Sequence, residues 1–120
     1  MGQQQFRILV AEDEPIIGHD LCDTVSEAGY IVEGPFDDLS AAMLAYQKTK
    51  PDIAILDVQL GDGIVYPLAE QMLAEDVAVI FHSGQIDSAD VVKRFPTAQA
   101  LNKPCPPAQV IASLGRARAS

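Results

Sequence analysis

The chain has 120 residues, 48% of them hydrophobic, and a formal net charge of −9 at pH 7. This length and composition suit one globular domain with its own core and exclude an intrinsically disordered chain. The negative charge argues against direct binding to nucleic acid, because phosphate binding requires a basic surface. The chain lacks a signal peptide, a membrane-span pattern and a disulfide framework, which predicts a cytoplasmic protein without membrane insertion.

Short apolar runs alternate along the chain with stripes of apolar residues spaced three or four positions apart. The short runs, rich in β-branched residues, predict strands, and the spaced stripes predict amphipathic helices. The predicted strands cover residues 6–11, 30–34, 52–57, 77–83 and 98–102. The predicted helices cover residues 15–28, 39–46, 65–73, 86–95 and 106–114, and the stripe of the fourth helix is weak.

Each predicted strand is followed by a helix across a short connection, five times in succession. Parallel strands joined by right-handed crossovers predict an α/β fold, with a doubly wound five-stranded parallel sheet and helices on both faces. No linker divides the chain, so we expect a single domain over residues 1–120 with its core at about 6–118. Such sheets bind ligands beyond the carboxyl ends of their strands, which makes the residues directly after the strands candidates for a functional site.

Polar and charged residues follow four of the five predicted strands. The acidic run 12–14 follows the first strand, and Asp57 ends the third within the segment AILDVQLGDG. Ser83 and Gly84 come at the end of the fourth strand, and Lys103 comes directly after the fifth. Because the carboxyl ends of parallel strands share one edge of the sheet, we expect these residues to converge.

The carboxylates of Glu12, Asp13 and Asp57 and the ammonium of Lys103 would give this edge a formal charge of −2. Close like charges are costly, so a bound cation is expected. Oxygen donors without a zinc-like set of His or Cys favour Mg²⁺ or Mn²⁺. With Asp57 on the metal and with Ser83 and Lys103 on phosphoryl oxygens, the aspartate is suited to be the nucleophile of a phosphoryl transfer.

Four motifs in order at the strand ends resemble the receiver domain of two-component response regulators. They are the acidic pair Glu12–Asp13, LDVQLGDG around Asp57, FHSG at 81–84 and NKP at 102–104. The resemblance covers about residues 6 to 118 and implies the flavodoxin-like strand order 2-1-3-4-5. It also implies a signalling protein rather than an enzyme, with chemistry limited to self-phosphorylation from a phosphodonor and autodephosphorylation.

The resemblance further implies a role for each residue at this edge. Asp57 would accept a phosphoryl group from a phosphohistidine on a sensor histidine kinase or phosphotransfer protein, in a reaction that depends on Mg²⁺ or Mn²⁺. Ser83, Gly84 and Lys103 would form the phosphate-binding and switch positions, and Lys103 would also be catalytic. The implied metal ligands are the side chains of Glu12, Asp13 and Asp57 and the backbone carbonyl of Gln59, with Glu12 acting mostly through a metal-bound water.

One position departs from the family pattern. Receivers usually carry Tyr or Phe three residues before the lysine, and this ring moves inward when the hydroxyl residue binds the phosphate. This chain has Ala100 there, so the switch is either silent or replaced by another element such as residues 85–95. FHSG is similar to the Phe-Ala-Thr-Gly signature of a receiver subset with a short, mobile fourth helix.

The output and three rival functions stay open at this point. No output domain is expected, so phosphorylation would change a contact with an unidentified downstream protein, or the chain would serve as a phosphate sink or relay. A small aspartyl-nucleophile phosphatase would need a second Asp as general acid where Gln59 stands. A flavodoxin-like nucleotide binder would need a phosphate-cradling loop where residues 12–14 repel phosphate. A pseudo-receiver would be a docking module that is never phosphorylated.

The two histidines are predicted to stand outside the metal site. Neighbouring side chains of a strand point to opposite faces, so His82 should point away from Ser83. We therefore expect His82 to be a packing or hydrogen-bonded residue rather than a ligand. His19 is expected on the solvated face of the first helix, beside Asp20 and Asp23.

Overall fold

The computed structural model describes residues 5–84 and 88–119. Its strands are β1 (Arg7–Ala11), β2 (Ile31–Phe36), β3 (Ile53–Asp57), β4 (Gln59–Leu60), β5 (Gly63–Ile64), β6 (Ala78–Ser83) and β7 (Gln99–Asn102). Its helices are α1 (Pro15–Glu27), α2 (Leu39–Lys48), α3 (Tyr66–Ala74), α4 (Ser88–Arg94) and α5 (Pro107–Ala119). The predicted strands and helices are confirmed to within a few residues at their ends, although residues 85–87 of the region assigned to the switch lie outside the described residues.

Five of the strands form one sheet in the order β2-β1-β3-β6-β7, and every neighbouring pair is parallel. Because β6 and β7 are the fourth and fifth strands of this sheet, the predicted order 2-1-3-4-5 is confirmed. The carboxyl ends of β1, β3, β6 and β7 therefore lie along one edge. None of the described helices is long and apolar enough to cross a membrane.

Two hydrophobic cores lie on opposite faces of the sheet. Alternate residues of a strand point to opposite faces, so Leu9 and Ala11 enter one core while Ile8 and Val10 enter the other. Helices α2, α3 and α4 cover the first face, and α1 and α5 cover the second. All five residues of β3 are buried, as in a central strand covered on both faces. The last of them is Asp57, whose carboxylate is therefore held at the boundary of both cores.

A short antiparallel hairpin of β4 and β5 is an element that the sequence pattern did not predict. Two-residue strands are too short to produce a periodic signal. Asp62, between the two strands, accepts hydrogen bonds from the backbone N–H groups of Leu39 at 2.5 Å and Ser40 at 3.2 Å. These bonds fasten the hairpin to the first turn of α2, and so restrain the segment that follows Asp57.

Three apolar residues of the predicted helical stripes lie at the surface instead of in a core. Val92 is 43% exposed, Ile111 is 45% exposed and Met43 is 37% exposed. Each follows a buried residue of the same helix. Adjacent residues of an α-helix point about 100° apart, so only one of each pair can face the sheet.

Two glycines have positive φ angles, +99° at Gly29 and +124° at Gly34. Side chains with a Cβ rarely adopt this left-handed region. Open space surrounds Gly29, whereas a Cβ added at Gly34 would overlap the carbonyl oxygen of Val10 in the neighbouring strand. Gly34 therefore allows the edge strand β2 to approach β1 closely.

We predict that Gly34→Ala lowers the free energy of unfolding by about 2 to 4 kcal/mol, because it adds a backbone overlap to an unfavourable φ angle. The matched variant Gly29→Ala carries only the unfavourable φ angle and should cost about 1 kcal/mol. Urea denaturation monitored by circular dichroism measures both values. Equal losses in the two variants would contradict the close approach of Gly34 to Val10.

Candidate functional site

The predicted site residues converge at the carboxyl edge of the sheet. Asp57 ends β3, Ser83 ends β6, and Lys103 directly follows β7. The backbone N–H of Lys103 donates a hydrogen bond of 3.0 Å to the carbonyl of Ser83, which fixes the start of the β7–α5 connection against β6. A depression of about 670 Å³ opens at this edge, and its lining includes Asp13, Asp57, Gln59, Ser83, Gly84 and Lys103.

Three carboxylates meet at this edge. Glu12, Asp13 and Asp57 each offer an oxygen, and these oxygens lie within 4.8 Å of one another. Glu12 is 1% exposed and Asp57 is 7% exposed, whereas Asp13 is open to solvent. Glu12 thus lies beneath the depression, and Asp13 stands at its rim.

The ammonium group of Lys103 lies among these carboxylates. Its Nζ is 2.7 Å from Glu12 Oε1 and 3.0 Å from Asp57 Oδ2. Lys103 Nζ also lies 3.4 Å from Glu14 Oε1, but the side chain of Glu14 is largely exposed, so water screens this ion pair. Burial lowers the pKa of Lys103, but its contacts with Glu12 and Asp57 outweigh that effect and raise the pKa above its usual value. Lys103 therefore stays cationic although its side chain is nearly buried.

Glu12 is held by contacts on both sides of its carboxylate. Oε2 accepts a hydrogen bond of 3.1 Å from the backbone N–H of Glu14, and Oε1 faces Lys103 and His82. Burial raises the pKa of Glu12, but the contacts with His82, Lys103 and the Glu14 amide outweigh it and lower the pKa to about 2. Glu12 is therefore a permanent negative charge at neutral pH.

Asp57 shows the opposite shift. Burial and the nearby charge of Glu12 raise its pKa, Lys103 opposes this rise, and the net result is a pKa of about 7. Of the two neighbouring buried carboxylates, Glu12 keeps the negative charge, and Asp57 is the one that takes up a proton as the pH falls through about 7. A bound cation would displace this proton, because a positive charge favours the ionised carboxylate.

The donor set fits a hard divalent cation. The oxygens of Glu12, Asp13 and Asp57 lie close enough to share one ion. Glu12 Oε1 is fully buried and accepts no well-oriented hydrogen bond, although Lys103 Nζ is in close ion-pair contact with it. Acidic oxygen ligands with one open side are the usual site of Mg²⁺, which keeps several of its waters.

His82 contacts this site, although the sequence predicted it to stand outside the metal site. The buried His82 lies on the face of β6 that it was predicted to occupy, yet its Nδ1 is 3.6 Å from Glu12 Oε1. The pairing of His82 with Asp57 in the register of β6 and β3 brings it beside the site. No sequence signal marked this contact, because it depends on which strands are neighbours.

Comparison with known proteins identifies the family. The family model of the response regulator receiver domain matches residues 8–115. The chain belongs to this family. Receiver domains are phosphoacceptor signalling proteins rather than classical enzymes, they bind Mg²⁺ at an acidic pocket, and they interact in general with histidine kinases or phosphotransfer proteins.

Two curated relatives carry a receiver of similar sequence. The receiver is 33% identical over 97 residues to the transcriptional regulatory protein PdtaR of Mycobacterium tuberculosis, which covers 79% of this chain and 46% of the relative. It is 32% identical over 89 residues to the response regulator protein GraR of Staphylococcus haemolyticus, which covers 72% of this chain and 39% of the relative. The chain thus spans less than half the length of these relatives.

Solved structures show the same fold. The non-phosphorylated HemR receiver domain from Leptospira biflexa matches with a TM-score of 0.82 and 26% identity, covering 94% of both chains. The receiver domain of PhyR from Erythrobacter litoralis matches with a TM-score of 0.83 and 28% identity, covering 95% of this chain and 90% of that one. The flavodoxin-like fold predicted from sequence is therefore confirmed.

The raised pKa of Asp57 predicts a pH-dependent stability in the absence of metal. A carboxyl group with a pKa of about 7 in the folded state and 3.8 in its unperturbed state loses its stabilising contribution as pH rises between these values. Asp57→Asn should therefore stabilise the protein more at about pH 8 than at about pH 5, by about 1 to 3 kcal/mol.

Urea denaturation in the presence of a chelator at both pH values measures this difference. The exposed Asp90 of α4 provides a matched control, since Asp90→Asn should leave the pH dependence unchanged. A stabilisation by Asp57→Asn that is the same at both pH values would contradict the raised pKa.

Proposed function

We propose that this receiver accepts a phosphoryl group on Asp57 from a phosphohistidine of a sensor histidine kinase or phosphotransfer protein. The observation that carries the proposal is the contact of Asp57 Oδ2 with Lys103 Nζ at 3.0 Å, beside the oxygens of Glu12 and Asp13. A carboxylate that is nearly buried, and yet reaches an open depression, is placed to act as a nucleophile.

In the proposed step, an oxygen of Asp57 forms a bond to phosphorus while the bond from phosphorus to the donor histidine nitrogen breaks. The nitrogen keeps the electron pair of that bond. Negative charge spreads over the phosphoryl oxygens during the transfer, and the cation of Lys103 beside Asp57 would stabilise it. Ser83, at the end of β6, would donate its hydroxyl hydrogen to one of these oxygens.

Mg²⁺ or Mn²⁺ would be held by Asp13, Asp57 and the backbone carbonyl of Gln59, with Glu12 reaching it through water. When bound, the ion would supply positive charge that offsets the negative charge of the carboxylates and of the phosphoryl group. With the ion bound, Asp57 would release to solvent any proton that it carries, and Glu12 would remain charged.

Gly84 would keep the depression open. A Cβ added there would lie 3.5 Å from the Cβ of Lys103, an ordinary van der Waals distance. Glycine is therefore not required to avoid a clash, but its lack of a side chain leaves space beside the modified Asp57.

Signal transmission is proposed to run through α4 rather than through the position of Ala100. Ala100 pairs with Phe81 in the register of β7 and β6, and the ring of Phe81 lies 5.1 Å from that of Phe95 at the end of α4. Phe81 is two residues before Ser83, so a shift of Ser83 toward a phosphoryl group would change the packing of Phe81 against Phe95 and so move the end of α4. The downstream partner would be a protein that distinguishes the two arrangements, or the chain would act as a phosphate sink or relay.

The donor protein is proposed to dock beside α1 in the cytoplasm. Ile16 at the start of α1 is 78% exposed, close in sequence to the acidic run 12–14. The next residue, Ile17, lines a groove of about 390 Å³ together with Leu21 and Val110 and with charged residues that include Lys103. An exposed apolar side chain near a groove with both apolar and charged walls is suited to receive an amphipathic helix of a partner that presents the phosphohistidine.

We predict that Asp57→Asn abolishes phosphorylation by acetyl phosphate with Mg²⁺, because an amide nitrogen or oxygen is a poor nucleophile in this role. Intact mass should show a gain of one phosphoryl group in the wild type and in the control Asp90→Asn, and no gain in Asp57→Asn. Full labelling of Asp57→Asn would contradict the assignment of the phosphoacceptor. An unlabelled wild type would instead favour a pseudo-receiver that acts only as a docking module.

We predict that Lys103→Ala retains Mg²⁺ binding, because the oxygen ligands remain, but uncouples phosphorylation from the conformational change. Two-dimensional amide NMR with Mg²⁺ and beryllium fluoride provides the measurement. In the wild type the shifted amides should extend from Asp57 into α4, and in Lys103→Ala they should stay near Asp57. An equally wide spread in the variant would contradict the role proposed for Lys103.

A further inference from the structure

His82 is a buried polar residue that no step of the proposed phosphoryl transfer uses. It lies in β6 directly before Ser83 and pairs with Asp57 in the register of β3. Its side chain is 5% exposed and lies on the side of the sheet covered by α1 and α5, where it lines the same groove as Ile17 and Lys103. Burying an imidazole without a hydrogen bond is unfavourable, so its position calls for an explanation.

Nδ1 of His82 faces Oε1 of Glu12, the carboxylate oxygen that forms the ion pair with Lys103. Nδ1 of His82 has no hydrogen-bond partner among the described residues, and Glu12 Oε1 accepts no well-oriented hydrogen bond either. The two atoms are 3.6 Å apart, which is longer than a formed hydrogen bond. A movement of less than about 1 Å would bring them to hydrogen-bond distance.

In the resting structure Glu12 does not need a hydrogen bond from His82, because Lys103 already forms an ion pair with it. Its Nζ is 2.7 Å from the same Oε1 of Glu12 and neutralises the buried carboxylate. In the proposed transfer, however, Lys103 turns toward the phosphoryl group on Asp57. Glu12 would then keep the N–H of Glu14 on Oε2 and its water-mediated contact with the metal, but Oε1 would lose its direct ion pair with Lys103. Leaving a buried carboxylate without its partner is strongly unfavourable.

We propose that His82 is a positioning residue that holds Glu12 when Lys103 leaves it: the Nδ1–H of His82 donates a hydrogen bond to Glu12 Oε1. A neutral imidazole with its proton on Nδ1 can make this bond, so no change of protonation is required. The substitute bond keeps Glu12 in place and lowers the cost of moving Lys103. This inference rests on the proposed function, since it needs Lys103 to turn toward a phosphoryl group.

The contact itself can be tested in the metal-free protein, without any phosphorylation. Nitrogen-15 NMR of the histidine rings distinguishes a protonated from an unprotonated Nδ1, and the exposed His19 serves as an internal control. The Nδ1 of His82 should carry the proton in the wild type, and its resonance should shift in Lys103→Met, where His82 becomes the partner of Glu12. An unprotonated Nδ1 in both proteins would overturn the proposal.

Three variants of His82 separate a hydrogen bond from simple packing. Asn places its amide nitrogen near the position of Nδ1, Gln places it near Nε2, and Leu fills the space without a donor. The rate of phosphorylation by acetyl phosphate at saturating Mg²⁺ should stay within about threefold of the wild type in His82→Asn and fall on the order of tenfold in His82→Gln and His82→Leu. Equal rates in all three variants would overturn the proposal.

A third measurement keeps the test informative if a variant is less stable. Amide NMR with Mg²⁺ and beryllium fluoride should show shifts near Lys103 in His82→Asn that match the wild type, and smaller shifts in His82→Leu. The same shifts in His82→Leu as in the wild type would mean that Lys103 moves without help from His82. If the wild type is not phosphorylated at all, the proposed function fails, while the metal-free NMR still decides whether His82 donates to Glu12.

Discussion

The contact of one ammonium group with two nearly buried carboxylates is the constraint on which the rest of the site depends. Lys103 Nζ lies 2.7 Å from Glu12 and 3.0 Å from Asp57. Each carboxylate alone would be costly at the boundary of a hydrophobic core, and the shared cation offsets part of that cost. The contact requires that the carboxyl ends of β1, β3 and β7 lie at the same edge of the sheet. The parallel arrangement of these strands provides this.

The same burial has opposite results for the two carboxylates because their partners differ. Glu12 has the Glu14 amide, Lys103 and His82 around it, and its pKa falls to about 2. Asp57 has Lys103 on one side but the charge of Glu12 nearby, and its pKa rises to about 7. The site thus combines a fixed negative charge with a carboxyl group whose ionisation responds to a cation, as the proposed phosphoryl transfer requires of its nucleophile.

The contacts around Glu12 also link chemistry to movement. In the proposed transfer Lys103 turns away from Glu12, and His82 lies 3.6 Å from the carboxylate oxygen that would lose its ion pair. On the other face of the sheet, Phe81 packs against Phe95, the residue directly after α4, and so connects the end of β6 to the end of that helix. His82 and Phe81 are neighbours in β6. In the proposed rearrangement, His82 would hold Glu12 on one face of the sheet, and Phe81 would pass the shift of Ser83 to α4 on the other face.

The sequence by itself determined the order of strands and helices, the family, and the residues at the strand ends, because periodicity and short motifs are local properties of the chain. Asp57, Lys103 and the acidic run 12–14 could be selected in this way. Only the tertiary structure decided that His82 faces Glu12, that Val92 and Ile111 are exposed, and that Asp62 fastens a hairpin to α2. These features depend on which strands are neighbours and on how each helix is rotated against the sheet, and side chains distant in sequence meet only after the whole core has packed.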